Sequence, residues 1–126
     1  MNNEEITREL EKLKFQVRTI GETIDTRKHP VESLILSLDW DEGEIDLAHD
    51  IFEKYDNKLE EGESVKWNEF EHELKDALKI HYQTVKSIVL AFYDNDQWTS
   101  VCYGYAMSFE PTTPVEFHRI TRKLGD

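Results

Sequence analysis

Residues 84–109, TVKSIVLAFYDNDQWTSVCYGYAMSF, decide whether this chain is wholly helical or carries a sheet. Two apolar runs, 87–93 and 98–109, flank Asp94-Asn95-Asp96-Gln97, and the second run is rich in aromatic and β-branched residues. That composition favours paired strands about a polar turn, so a β-hairpin over 87–109 competes as a local reading. Helical spacing is satisfied as well. Trp98, Val101, Cys102, Tyr105 and Ala106 share one helical face, and 84–93 is apolar on nearly every side, as in a central buried element.

Working outward, Trp67, Phe70, Leu74, Ala77 and Leu78 recur at helical spacing, which predicts an amphipathic helix over 66–79. Before it, Asp39 or Asp41 is placed to cap a longer helix with Ile45, Ala48, Ile51, Phe52, Tyr55 and Leu59 on one face, ended by Gly62. His29-Pro30 marks a boundary, because the residue before proline is pushed out of the helical region while proline suits a first helical position; a short helix then runs from Val31 to Leu38. Towards the C-terminus, Thr113-Pro114-Val115-Glu116 has the form of a capping box opening a last short helix with Phe117, Ile120 and Leu124.

The most regular pattern lies at the N-terminus. Ile6, Leu10, Leu13, Val17, Ile20 and Ile24 are spaced 4, 3, 4, 3 and 4, a heptad seam over a helix expected to occupy 1–25, with Gly21 weakening its end. Such a seam serves either as the contact between subunits or as a core face within one chain.

With 126 residues, 38% hydrophobic and 33% charged, the chain suits one folded domain. The formal charge of −12 argues against direct contact with nucleic acid or anionic lipid. The excess is local: residues 39–63 hold eleven acids against Lys54 and Lys58, a net of −9. The sequence has no apolar run of the ~18 residues that marks a membrane-spanning helix, and the first residues lack a signal-peptide core. Cys102 is the single cysteine and sits among Val101, Tyr103 and Tyr105, as a buried thiol does. A cytoplasmic location is the expectation.

Motifs for chemistry are sparse. Val65, Glu69 and Phe70 match the second half of a calcium-binding loop, but Lys58 then stands where an acid is needed and Glu63 where the turn glycine belongs. His29, His49, His72, His81 and His118 show neither i,i+4 pairing nor cysteine partners at metal-ligand spacing. No phosphate-cradling glycine loop or serine elbow is present. A cavity lined by Trp98, Tyr103, Tyr105 and His81 is the one enzymatic alternative. No catalytic residue, metal site or cofactor is expected.

The order of features, namely the heptad helix, Ile24-Asp25, Arg27-Lys28-His29-Pro30, Leu34-Ile35-Leu36, the Glu42-Gly43-Glu44 helix start, the apolar positions of Val65–Leu74 and Ile88–Tyr93, then Trp98 and Val101, resembles the YhaI-like family of small helical proteins from Bacillus-type bacteria. The likeness spans roughly residues 6–107 and rests on spacing more than on rare residues. It implies a multihelical, all-α single domain whose subunits intertwine in an oligomer, and hence helix rather than hairpin over 84–108. It carries no activity and no site residues. The chain departs from the family at Asp94-Asn95-Asp96 and in the tail beyond Met107.

The expectation is therefore a non-enzymatic, self-associating helical protein of bacterial or phage origin, acting through protein–protein interaction, with Ile6, Leu10, Leu13, Val17, Ile20 and Ile24 as the oligomer seam. The alternative is an acidic regulatory or inhibitory protein that imitates nucleic acid and binds a basic partner protein through Asp39, Asp41, Glu42, Glu44 and Asp46.

Overall fold

The computed structural model describes residues 2–122. Its helices are α1 (Asn3–Gly21), α2 (Pro30–Leu38), α3 (Glu42–Glu60), α4 (Trp67–Leu78), α5 (Tyr82–Asp94), α6 (Thr99–Met107) and, after a 3₁₀ turn at Val115–Phe117, α7 (His118–Thr121). There is no strand among the described residues, so the hairpin over 87–109 gives way to α5 and α6. The turn residues that suggest a hairpin instead close a helix. Asp96 adopts the left-handed region (φ 56°), Gln97 N–H donates to Phe92 C=O at 2.9 Å, and Asp96 N–H donates to Tyr93 C=O at 3.0 Å. This is the Schellman pattern, and aspartate tolerates its left-handed residue better than most side chains do.

Local signals set most boundaries. Pro30 opens α2, and Asp39 ends it in the left-handed region (φ 56°). Asp41, not Asp39, caps α3: its carboxylate accepts from Glu44 N–H at 3.2 Å while Glu44 Oε1 accepts from Asp41 N–H at 3.5 Å, a complete capping box. Gly62, at φ 76°, allows Glu63 N–H to reach back to Lys58 C=O at 3.0 Å and stop the helix.

Helices α3 to α6 surround the core, with α2 laid against α5 and α7 against α6. Phe52, Phe70 and Phe92 are fully buried at the centre, Phe52 meeting Phe70 edge-on at 5.2 Å and Phe92 at 4.7 Å. Val101, Cys102, Tyr105 and Ala106 are buried together, the face that helical spacing assigns to 98–109. Trp98 itself caps α6 with φ 47°, a strained setting for a bulky residue that costs about 1–3 kcal/mol. Its ring is held against Phe52 and Phe92, and its Nε1–H donates to Glu53 at 3.0 Å.

Three further expectations are corrected. The first helix stops at Gly21 rather than residue 25, which leaves Ile24 half-buried in the following turn. Ala77 is exposed although it lies within the helical pattern of α4, because the buried face there is carried by Phe70, Leu74 and Leu78. Thr113 forms no capping box: its hydroxyl donates to Glu110 at 2.5 Å, and Glu116 accepts from Lys86 at 3.4 Å. That ion pair ties the tail to α5, where the Lys86 ammonium also lies 4.7 Å from the centre of the Tyr82 ring. Phe117 and Ile120 are fully buried as expected for the last helix, while Leu124 lies outside the described residues.

Candidate functional site

Helix α1 carries its own end signals. Asn2 accepts from Glu5 N–H at 2.8 Å, Glu4 and Glu5 lie at the positive end of the helix dipole, and Arg18 lies near the negative end. None of its residues is buried. Ile6, Leu10, Leu13, Val17 and Ile20 are 42, 51, 53, 49 and 64% exposed, which removes the reading of the seam as a core face of its own chain. A contiguous exposed apolar stripe of this size is a candidate interaction surface.

One side of the stripe faces the rest of the molecule across a groove of about 1130 Å³. Leu10, Leu13 and Val17 form one wall; Leu34, Leu36 and Trp40 at α2, with Leu90 and Ala91 of α5, form the floor and the other wall. The helices converge where Gly21 approaches Leu36, and a β-carbon at Gly21 stands 3.3 Å from Leu36 Cδ1. Charges are confined to the rim: Lys14, Arg18 and Glu22 on the α1 side, Asp39 near Trp40, and Arg119, whose guanidinium grips Asp94 at 2.7 and 3.2 Å. Trp40, Leu90 and the Arg119–Asp94 pair escape sequence reading, because nothing local ties them to α1. One signal does exist. Val31, Leu34, Ile35, Leu36 and Leu38 make α2 apolar around most of its circumference, more than a single packing face requires.

The acidic candidates are dispersed in role. Asp39, Asp41, Glu42 and Asp46 are exposed and Glu44 is half-buried. Asp39 ends α2, and Asp41 and Glu44 cap α3. Trp98, Tyr103, Tyr105 and His81 do not converge: Trp98 meets His49, Phe52 and Phe92 at tilted or edge-on angles, Tyr105 is buried against Phe70 and Phe117, Tyr103 is exposed, and His81 is exposed at the start of α5. No cluster of three or more His, Cys, Asp or Glu suited to a metal ion occurs among the described residues. Burial pushes the Cys102 thiol up to about 12, and its Sγ donates to Val89 C=O at 3.4 Å, so it stays protonated and inert at neutral pH.

A second polar cluster is structural. Glu73 Oε1 accepts from Lys54 Nζ at 2.7 Å and from the Tyr55 hydroxyl at 2.8 Å, joining α3 to α4. Burial pushes the Glu73 carboxyl up, but these two hydrogen bonds and the charges of Lys54 and Lys58 outweigh it and leave the group below its ordinary value of 4.5. A carboxyl held low in the folded state contributes stability that is complete above the unfolded value and is lost as pH falls through the folded one. Glu73→Gln is therefore expected to flatten the decline of stability below pH 4.5, seen as a smaller shift of the urea midpoint between neutral and acid conditions. An unchanged pH profile would remove Glu73 from the acid response.

No helix among the described residues is long and apolar enough to cross a membrane. No family model, curated protein or solved structure matches the chain.

Proposed function

We propose that the protein is a non-enzymatic, self-associating helical protein that acts through protein–protein interaction, with the α1 stripe as its oligomer seam. The observation that carries this reading is the 19-residue helix α1, of which no residue is buried by its own chain although five large apolar side chains line one face. Most helical stability in proteins comes from packing an apolar face, and α1 has none of its own chain over its stripe. Burying each such side chain contributes about 1.5–3 kcal/mol, so a second apolar surface over the stripe stabilises both the helix and the assembly. The likeness to the YhaI-like family, whose members associate through intertwined subunits, points the same way. The acids of α3 face water in this arrangement and keep the assembly soluble.

The test replaces Leu13 and Val17 together with aspartate. Sedimentation equilibrium is expected to give an oligomer for the wild type and a monomer for the variant, with loss of helical circular dichroism corresponding to α1 and a retained core transition. A variant keeping both the native mass and the native melting temperature would end the proposal, as would a monomeric wild type.

A further inference from the structure

We infer that the groove beside α1 receives helix α1 of a second copy, laid parallel and in register about a two-fold axis; the inference rests on the self-association reading and adds its geometry. In the heptad frame Leu10 and Val17 are a positions, and Ile6, Leu13 and Ile20 are d positions. The charged flanks are then Glu9 at g and Lys14 at e, five residues apart. Parallel in-register helices bring each g residue to the e residue five positions later on the partner, so Glu9 meets the partner subunit's Lys14, and the two-fold axis makes the pair twice. In the antiparallel alternative g meets g and e meets e. Glu9 then faces Glu9, Gln16 or Thr23, and Lys14 faces Thr7, Lys14 or Gly21, which offers only like charges or neutral residues.

The same flank locates the second helix. Lys14 lies on the groove side of α1, lining it with Leu10, Leu13 and Val17, so a helix whose Glu9 pairs with Lys14 covers the groove. At about 1130 Å³ the groove exceeds the ~300–1,000 Å³ usual for small-molecule sites and suits the face of a helix. The present partners of these charges yield readily: Lys12–Glu9 at 3.8 Å and Lys14–Glu11 at 3.7 Å are exposed pairs within one helix. Isoleucine at d favours four-stranded over two-stranded packing in a free coiled coil. Here α2 and α5 of both subunits supply the additional walls, so a dimer meets that preference.

Single-cysteine substitutions in the full chain test the orientation, since the native Cys102 is buried away from the stripe. Under mild oxidation Ile6→Cys and Ile20→Cys are each expected to form a disulfide-linked dimer with its own kind, at opposite ends of α1. Linkage only in mixtures that pair a d with an a position, Ile6→Cys with Val17→Cys or Ile20→Cys with Leu10→Cys, would show an antiparallel seam and overturn the inference while leaving self-association standing. Absence of all linkage in a protein that still sediments as an oligomer would overturn it likewise, whereas a monomeric wild type would refute self-association itself. Two further variants locate the contact. Glu9→Lys is expected to weaken dimerisation about three- to tenfold, with recovery in Glu9→Lys/Lys14→Glu. Leu36→Lys, on the groove wall and 43% exposed in the single chain, is expected to weaken it at least as much without lowering the core melting transition. Undiminished association of Leu36→Lys would exclude the groove as the seat.

Discussion

Gly104→Ala is expected to lower stability by about 2 kcal/mol, although alanine is the better helix former by about 1 kcal/mol. Gly104 lies within α6, and a β-carbon there falls inside the van der Waals envelope of the Trp67 six-membered ring, at clash distance from Cζ2 and 2.8 Å from Cη2. The indole has little room to retreat, because it is stacked with Tyr55 at 6.5 Å and meets Phe70 at 5.6 Å and Tyr105 at 6.4 Å. The loss is read as a lower urea midpoint at unchanged slope. In a Trp67→Leu background the same glycine replacement is expected to become neutral or stabilising, so the two changes are strongly coupled. A stabilised Gly104→Ala single variant would show that the close approach of α4 and α6 does not exist.

Phe52→Ala is expected to cost more, about 3–5 kcal/mol, and to unfold much of the population at moderate temperature. The ring is fully buried and contacts Phe70, Phe92 and Trp98, so its removal opens a cavity at the junction of α3, α4 and α5 and takes away the surface that holds Trp98 at positive φ. The control is Leu47→Ala on the same helix, 43% exposed, for which thermal denaturation is expected to shift by no more than ~0.5 kcal/mol. Equal effects at the two positions would place the centre of the core elsewhere.

The contrast between these positions follows what each residue's neighbours in sequence reveal. Pro30, the Asp41–Glu44 box and Gly62 act within a few residues, so the limits of α2 and α3 are legible in the sequence and recur in the structure. The buried set Val101, Cys102, Tyr105 and Ala106 follows from helical spacing once 98–109 is taken as helix, and the α1 stripe from Ile6 to Ile20 is equally plain. The sequence alone leaves two questions open. The choice between hairpin and helices over 84–109 sets local β propensity against burial, and it is decided by Phe52 and Phe70, far away in sequence, which pack onto Phe92 and Tyr105. Whether the α1 stripe is covered, and that Leu34, Leu36, Trp40 and Leu90 face it across a groove, depend on where separate helices come to rest. Local hydrogen bonds and periodic spacing determine the helices and their buried faces; only tertiary packing decides which faces meet and which stay open, because that energy arises between residues that no short window of sequence contains.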